Sequence, residues 1–482
     1  MLFNSYEYIF FFLPITFFIY FFLLQKRLLV GAKGFLVFAS LFFYSWWDIS
    51  YLPIILTSML FNYTLGNSLN SEFKREKISQ KTLLIIGIGA NLSLLAYFKY
   101  MDFFIDNLNT ITQSNYDLLH LALPLAISFF TFQQIAYLVD SYKKETHEYD
   151  FLNYALFVTF FPQLIAGPIV HHKEMMPQFN SRWNLVKKYK NIALGLFIFT
   201  IGLFKKVVIA DYFAVYATNG FDKAEVLNLI EAWATSLSYT FQLYFDFSGY
   251  TDMAIGAALL FNIKLPANFN SPYKAKDIQD FWRRWHITLS RFLRDYIYIP
   301  LGGNRVGEFR ALSNLMITFL IGGLWHGAGW TFIFWGFLHG GASIIHKIWK
   351  NFGFTMNSIL AWIITFNFIN ISWVFFRANE FEDALKVLQG MFFGTLILPS
   401  KLQTLPLDSL HFSDIWISGI YANNFLILYL FLALLLLLLA QNSMQLANKL
   451  QFNTPTVLFT TIVLITSFLH LSGVHDFLYF NF

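Results

Sequence analysis

The stretch GGLWHGAGWTFIFWGFLHG, residues 322 to 340, places His326 and His339 in an otherwise apolar, glycine-rich segment. An ionisable side chain at membrane depth is costly and usually faces a polar cavity or a polar partner, which makes it a candidate functional group. Glycine weakens a helix but lets another helix or a substrate approach the backbone closely. The segment therefore predicts membrane helices with His326 beside a functional site, or else a structural histidine that hydrogen-bonds between helices. For His339, flanked by Gly336 and Gly340, the structural alternative is favoured.

The whole chain has the composition of a polytopic membrane protein. Of its 482 residues, 57% are hydrophobic, 20% aromatic and only 13% charged, and the mean hydropathy is +0.52. The charged share is about half that of a soluble domain. A membrane span needs about 20 mostly apolar residues. Such runs lie near residues 8–24, 28–47, 82–98, 118–139, 191–204, 226–245, 313–325, 330–349, 358–376, 420–440 and 455–471.

Three further runs, at residues 51–61, 151–166 and 207–219, are short or interrupted and are expected to be re-entrant. We predict an all-α, polytopic integral membrane protein of about 11 to 13 membrane elements. With no fixed-period repeat and no attached soluble domain visible, residues 1–482 are expected to form a single integral membrane domain.

Charge placement predicts the topology. Lys26 and Arg27 follow the first apolar run, four basic residues lie between residues 74 and 81, and Lys143 and Lys144 follow a later run. Basic residues mark the cytoplasmic side, so these loops are predicted to be cytoplasmic and the N-terminus external. The net charge of +5 is modest, and no extended basic stripe indicates a nucleic-acid partner. The apolar start of the chain is expected to be the first span, because it lacks the basic region and cleavage site of a signal peptide.

The chain contains no cysteine. Thiol nucleophiles, thiolate metal sites and S-acyl-cysteine intermediates are therefore excluded, and any acyl carrier must be an oxygen or a nitrogen. The histidines form neither HxxxH nor HExxH pairs, and His171 and His172 are expected in a polar loop, so we predict no metal site. A neutral imidazole, with a reference pKa near 6.5, can take a proton from a hydroxyl that attacks a carbonyl.

The segment DFWRRWHITLSRFLRDYIYIPLGG, residues 280 to 303, predicts one amphipathic helix that ends at Gly302 and Gly303. At 100° per residue its large apolar side chains share one arc and its arginines face the other side. Such a helix can lie in the membrane interface with its arginines toward headgroups or an anionic ligand. The apolar arc contains Phe281, Trp282, Trp285, Leu289 and Phe292, with His286 at its edge; the basic side contains Arg283, Arg284, Arg291 and Arg294.

Two more polar segments interrupt apolar sequence. Asp246 and Asp252 lie in SYTFQLYFDFSGYTDMAIG, residues 238 to 256. They are expected either to pair with a buried arginine such as Arg377, or to orient a histidine and shape a tunnel. In FFPQLIAGPIVHH, residues 160 to 172, prolines and a glycine would break a helix. Broken backbone at membrane depth needs protein or a water-filled cavity around it, so this segment predicts either a tunnel lining or a plain kink.

These segments together resemble the membrane-bound O-acyltransferase (MBOAT) superfamily. Within it, the chain resembles the membrane subunits that O-acetylate alginate and peptidoglycan, which are related to the D-alanyl transferase of teichoic acids. The matching motifs are FFPQLIAGPIV, FQLYFDFSGYTDMAIG, LPANFNSPYKAKDIQDFWRRWHITLSRFLRDYIYIPLGGNR and GGLWHGAGWTFIFWGFLHG, which give a motif-bearing core at residues 160–340.

The resemblance implies a ring of membrane helices around a central tunnel. It implies that His326, in LWHG, is the catalytic histidine. His286, in WRRWH, is the second histidine of the family pattern and is expected to line the tunnel or assist the base. Further substrate-binding candidates are Arg283, Arg284, Arg291, Asp246, Trp325 and His339.

The resemblance also implies the reaction. Acetyl from cytoplasmic acetyl-CoA would cross the inner membrane to an envelope polysaccharide, with peptidoglycan slightly favoured over alginate, and a periplasmic acetyltransferase as a partner. No bound cofactor is expected. A transporter or flippase with proton-relaying histidines, and a scaffold that recruits a soluble acetyltransferase, are the alternatives.

The chain ends in HDFLYFNF, residues 475 to 482, which resembles a terminal aromatic motif of this branch or of its small partner protein. That resemblance implies that Tyr479 accepts the acyl group. A phenol, with a pKa near 10, is a better leaving group than a sugar alcohol, so its ester would retain transfer potential. The alternative is an interfacial aromatic tail. Asn481 departs from the family pattern, which often has Gln at this position.

Overall fold

The fold is almost entirely helical in the computed structural model, which describes residues 1–70, 78–146, 150–400, 411–413, 416–471 and 478. The helices are α1 Leu13–Gln25, α2 Leu29–Ser45, α3 Leu52–Asn70, α4 Gln80–Leu95, α5 Met101–Thr112, α6 Ile127–Tyr142, α7 Phe151–Thr159, α8 Phe161–Leu164, α9 His172–Asn180, α10 Tyr189–Phe204, α11 Asp211–Thr218, α12 Leu229–Leu260, α13 Ile278–Arg284, α14 Ile287–Leu293, α15 Glu308–His326, α16 Trp330–Asn351, α17 Ser358–Arg377, α18 Phe381–Phe393, α19 Phe425–Leu439, α20 Ser443–Asn448 and α21 Thr454–Leu469.

Short π-helical and 3₁₀-helical segments extend or connect several of these helices. The π-helical segments are Glu7–Phe12, Ala96–Tyr100, Lys205–Ala210, Asn219–Lys223 and Arg294–Tyr298, and the 3₁₀ segments are Ile49–Tyr51, Arg182–Asn184, Pro272–Lys274 and Ser418–Ile420. One parallel strand pair, β1 Ile397–Pro399 with β2 His411–Ser413, occurs in the described chain and pairs Ile397 with His411.

Five helical stretches of the described residues are long and apolar enough to cross a membrane. They are Glu7–Gln25, Ile49–Asn70, Gln80–Thr112, Tyr189–Lys223 and Ser358–Arg377, and three shorter apolar helices are α2, α19 and α21. The predicted all-α membrane fold is confirmed. The number of 11 to 13 membrane elements, the ring and the tunnel stay predictions.

Three details of the helix prediction were wrong. Residues 51–61 belong to a continuous stretch from Ile49 to Asn70, and residues 207–219 lie inside the stretch Tyr189–Lys223, where π turns absorb the irregular sequence. The apolar run 118–139 becomes helical only at Ile127. Pro124 disfavours helical backbone in the residue before it, and Ala126 has a left-handed backbone with φ of 60°.

The described residues divide into two compact units, each built from separate parts of the chain. The first comprises Met1–Leu203, Tyr250–Ala267 and Ala447–Asn481. Inside it, Asn62 of α3 and Asn91 of α4 exchange two amide hydrogen bonds of 3.1 and 2.7 Å. Such reciprocal amide pairs satisfy polar groups between membrane helices. The predicted single domain stays a prediction.

The second unit comprises the described residues of Phe204–Gly249 and Asn268–Leu446. Within it, helices α15 and α16 pack closely against each other where their glycines meet. A Cβ atom at Gly323 would lie 2.3 Å from the carbonyl oxygen of Phe332, and one at Gly336 would lie 2.5 Å from that of Phe319. The glycines of residues 322 to 340 therefore permit close helix packing, and this packing holds His326 at the end of α15.

Candidate active site

His326 is the last residue of α15 and is 3% exposed. Three aromatic rings surround its imidazole with edge-on geometry. The ring centroids of Trp325, Trp335 and Phe376 lie 4.8, 5.2 and 5.0 Å from it. All three side chains are themselves buried, so the imidazole faces the interior of the second unit. A helix end also leaves backbone carbonyls without helical partners, which adds polar character here.

His286 lies at a break between two helices and is fully buried. The prediction of one continuous helix over residues 280–303 was wrong. Helix α13 ends before Trp285, His286 adopts left-handed backbone with φ of 42°, and α14 begins at Ile287. The arcs were nevertheless predicted correctly, because Phe281, Trp285, Leu289 and Phe292 are buried while Arg283 and Arg294 are exposed.

The hydrogen bonds of Asn268 determine which nitrogen of His286 carries hydrogen. Asn268 Oδ1 accepts from the backbone N–H of Thr288 at 3.1 Å and from its hydroxyl at 2.9 Å. A backbone N–H can only donate, which identifies the facing amide atom as oxygen. His286 Nδ1, 3.1 Å from that same oxygen, must therefore be the protonated nitrogen. The lone pair lies on Nε2, and the tautomer is that of a base.

Burial also keeps His286 neutral. This residue lies outside the candidate spans, and burial lowers its pKa to about 3. One indole connects the two histidines, since the Trp325 ring centroid lies 6.2 Å from His286 and 4.8 Å from His326. The structure thus brings together the two histidines and Trp325 that the sequence singled out.

His339 has protein partners at both ring nitrogens. Trp282 Nε1 donates to Nδ1 at 3.2 Å, so the hydrogen of the neutral ring is on Nε2, 3.0 Å from the Ser372 hydroxyl. That hydroxyl donates onward to the carbonyl of Ile369. This arrangement supports the structural interpretation of His339, and a role in substrate binding stays a prediction.

Asp246 is paired with a lysine and not with an arginine. Lys206 Nζ lies 2.6 Å from Asp246 Oδ1 and 2.9 Å from Asp211 Oδ1, and all three side chains are less than a tenth exposed. Arg377, the partner considered from the sequence, instead pairs with Asp222. Asp252 belongs to the first unit, where it is buried. A substrate contact of Asp246 stays a prediction.

The candidate anion-binding arginines differ in their contacts. Arg284 pairs with Asp280 at 2.9 Å, and Arg291 is half-buried. Arg283 is exposed and forms no ion pair among the described residues. Its neighbour Trp282 contacts Trp335, with ring centroids 5.8 Å apart, and Trp335 contacts His326. Helix α13 therefore carries an exposed guanidinium at Arg283, next in sequence to a tryptophan that packs against a neighbour of the His326 ring.

Comparison with known proteins identifies the family. The family model of MBOAT, the membrane-bound O-acyltransferase family, matches residues 8–381. This chain belongs to the MBOAT family. It is a membrane O-acyltransferase, and the predicted class of enzyme is confirmed.

Several bacterial relatives share most of the chain. A peptidoglycan O-acetyltransferase of Helicobacter pylori is 57% identical over 424 residues, which cover 81% of this chain and 80% of that protein. A probable alginate O-acetylase of Pseudomonas aeruginosa is 41% identical over 402 residues, covering 82% and 76% of the two chains. A teichoic acid D-alanyltransferase of Bacillus subtilis is 27% identical over 276 residues, covering 54% and 69%.

The MBOAT motif FFPQLIAGPIV lies in the first unit and is broken as predicted. Helix α7 ends before Phe160, and α8 is followed by irregular backbone up to His171. This segment and α6 line a small, partly open cavity with room for about one water molecule; the lining residues are Phe129, Gln133, Gln163, Leu164, Gly167, Pro168, Ile169 and Val170. The tunnel lining and the plain kink both stay predictions.

His171 and His172 follow that cavity and are buried, so the prediction of a polar loop was wrong. His172 packs against Phe157 and Tyr137. Burial lowers the pKa of His172 to about 4, although Asp140 partly opposes this shift. His171 Nδ1 lies 3.7 Å from the same carboxylate.

Some residues of the site have only weak sequence signals, and one candidate is outside the described residues. Asn268 orients His286 from 18 positions upstream, and Lys206 interrupts an apolar run just before Asp211. A lysine inside an apolar run was a usable signal, whereas nothing local marks Asn268. Tyr479 lies outside the described residues.

Proposed function

We propose that this MBOAT protein O-acetylates an envelope polysaccharide, most directly peptidoglycan, with acetyl-CoA from the cytoplasm as donor. The 57% identical relative named as a peptidoglycan O-acetyltransferase supports this acceptor. The proposal includes a location in the bacterial inner membrane and a periplasmic partner enzyme. The observation that supports it is the buried pair of imidazoles around Trp325, because an imidazole enclosed by aromatic rings is shielded from bulk water and can accept a proton from a hydroxyl.

The proposed chemistry needs one proton acceptor. His326 removes the proton of the acceptor hydroxyl as its oxygen attacks the thioester carbonyl carbon. The carbon–sulfur bond breaks, and the imidazolium returns the proton to the CoA sulfur. General base help of this kind contributes about 10² to 10⁴ in rate. Buried aromatic walls exclude bulk water, which limits hydrolysis of the thioester.

Arg283 is the proposed contact for the donor's phosphates. Its guanidinium is exposed, and Trp282 and Trp335 connect its helix to the His326 ring. Arginine binds phosphate oxygens with two parallel N–H donors. The phosphates would stay in water while the pantetheine arm carries the thioester inward.

Tyr479 is the proposed first acceptor. Its phenol oxygen takes the acetyl group, and the resulting ester is cleaved when a hydroxyl of the glycan, or of the partner enzyme, attacks the same carbonyl carbon. The tyrosinate leaves more readily than a sugar alkoxide because its conjugate acid is stronger. Acetyl would thus cross the membrane while CoA remains inside.

Mass spectrometry of envelope glycans tests the function and identifies the acceptor. Cells that lack this protein are compared with cells that carry the wild type, His326→Ala or His470→Ala. His470 is an exposed histidine at the end of α21 and serves as the control. We expect glycan O-acetyl groups with the wild type and the control only. Normal acetylation in the His326→Ala cells would reject the assignment of the base.

The tyrosyl ester has its own test. Tyr479→Phe removes a single oxygen, and we expect it to lower glycan acetylation by at least 100-fold if no other hydroxyl replaces it, following the general scale of lost catalytic groups. Tyr421→Phe, at an exposed tyrosine, is the matched control. Unimpaired transfer by the Tyr479→Phe protein would exclude the tyrosyl route and leave direct transfer to the glycan.

A further inference from the structure

Helix α12 carries a line of polar side chains on one face of its part in the second unit. At 100° per residue these positions lie within an arc of about 100°. Each side chain is at least nine-tenths buried. The line, called the polar stripe below, consists of Thr235, Ser238, Tyr239, Gln242 and Asp246.

The central members of the polar stripe lack protein partners. Ser238 Oγ, Tyr239 OH and Gln242 Oε1 have no hydrogen-bond partner among the described residues. Buried polar atoms are nearly always hydrogen-bonded, to protein or to water. Thr235 Oγ1 also has no partner among the described residues, but its side chain packs directly against Gly220.

On the adjacent face of the same helix, the buried hydroxyl groups have hydrogen-bond partners. The Ser236 hydroxyl donates to the carbonyl of Asn370 at 3.5 Å, and the Thr240 hydroxyl donates to Asn370 Oδ1 at 2.7 Å. Both residues are as buried as Ser238. Among the described residues, unpartnered hydroxyls also occur further along α12, at Ser248 and Thr251, but between residues 235 and 242 the unpartnered atoms all lie on one face.

A charged cluster lies at the C-terminal end of the stripe. Asp246 pairs with Lys206, which also pairs with Asp211, so two carboxylates share one ammonium in a buried location. Ionisable side chains at membrane depth usually face a water-filled cavity or line a substrate pathway. Gln242, one turn before Asp246, is 9% exposed and is the most exposed member of the stripe.

We propose that the polar stripe lines a hydrated, hydroxyl-binding site inside the second unit. Hydroxyl groups fit all three unpartnered atoms, since they donate to Gln242 Oε1 and exchange hydrogen bonds with the hydroxyls of Ser238 and Tyr239. Two sources supply such groups: water, or the sugar hydroxyls of the acceptor. The second source rests on the proposed function, and the first does not.

The absence of native cysteine makes a direct test available. Single-cysteine proteins, Ser238→Cys and Gln242→Cys, are compared in native membranes with the controls Ser236→Cys and Thr240→Cys. The probe is Ag⁺, a small, lipid-insoluble cation that captures thiolates. Thiols that remain free are then counted with a maleimide after denaturation, at equal amounts of inserted protein.

We expect Ag⁺ to capture the thiols at positions 238 and 242 at least tenfold faster than those at 236 and 240. The pair 238 and 236 is the decisive comparison, because both are buried serines on one helix. Equal rates at all four positions, or no capture at 238 and 242, would overturn the proposal. Neither outcome depends on enzymatic activity, so failure here is distinguishable from failure of the proposed function.

A second arm distinguishes the two sources of hydroxyl groups. The disaccharide of N-acetylglucosamine and N-acetylmuramic acid is added before Ag⁺. Slower capture at position 238, with unchanged rates at the controls, supports sugar hydroxyls as the ligand. Fast capture that the disaccharide leaves unchanged supports water as the ligand of the stripe.

Discussion

At the scale of single residues, the chemistry of this site depends on how each imidazole is held. His286 is protonated on Nδ1 because Asn268 Oδ1 faces it, and its Nε2 keeps the lone pair. Both ring nitrogens of His339, on α16, are hydrogen-bonded, one to Trp282 of α13 and one to Ser372 of α17, so this residue links three helices. These two buried histidines thus differ in the chemistry that they can perform, because their hydrogen-bond partners differ.

The neutral state of His286 predicts a pH dependence of stability. Its pKa falls from near 6.5 in the unfolded chain to about 3 in the folded protein, because burial disfavours the charged ring. The contribution of neutral, buried His286 to the free energy of unfolding is fully present above pH 6.5. It is lost as the pH falls toward 3, because the unfolded chain then binds a proton that the folded protein does not. At pH 5 the loss from this one group is about 2 kcal/mol.

His286→Asn tests this dependence without a titratable group. An asparagine amide keeps a donor toward Asn268, and asparagine tolerates left-handed backbone better than most residues. We expect the melting temperature of the detergent-purified wild type to fall more between pH 7 and pH 5 than that of the variant. Parallel falls in the two proteins would show that His286 is not the titrating group.

At the scale of elements, local periodicity predicted which faces are buried but not where the helix breaks. Phe281, Trp285, Leu289 and Phe292 are buried and Arg283 and Arg294 exposed, as predicted, although Trp282, Arg284 and Arg291 are only partly buried. At the break, Asn268 Oδ1 accepts hydrogen bonds both from the His286 ring and from the backbone N–H of Thr288. The partners of His339, Trp282 and Ser372, are likewise 57 and 33 residues away. Such contacts are tertiary, and no local pattern encodes them.

The glycine packing of α15 against α16 gives an element-scale prediction. Gly323→Ala places a methyl group 2.3 Å from a backbone carbonyl oxygen, so the helices must separate. Overpacking of this kind costs about 1 to 3 kcal/mol. We expect a lower melting temperature and reduced acetyl transfer, because His326 lies at the end of α15.

Gly341→Ala is the matched control on α16. No atom lies within 4 Å of a Cβ placed there. Alanine favours a helix over glycine by about 1 kcal/mol, so the control is expected to keep or slightly raise the melting temperature. Equal destabilisation by both variants would contradict the close-packing account.

At the scale of the whole molecule, composition alone predicted the membrane class, because a chain with 13% charged residues has too little polar surface for a soluble fold of this size. The family followed from four motifs in the core at residues 160–340, and the match over residues 8–381 confirms it. Which loops face the cytoplasm is not tested by the family match. The predicted topology depends on basic loops such as Lys143 and Lys144, whose cytoplasmic location remains a prediction.

We propose that His326 catalyses transfer of acetyl from acetyl-CoA supplied on the cytoplasmic side, and an assay in oriented membrane vesicles tests this directly. Sealed membrane vesicles that contain this protein, in inverted or right-side-out orientation, are given radiolabelled acetyl-CoA, which does not cross the bilayer, and the label on acceptor is measured. We predict transfer in inverted vesicles only, and a loss of at least 100-fold with His326→Ala at equal protein level. Undiminished transfer by the His326→Ala protein, or transfer in right-side-out vesicles alone, would contradict the claim.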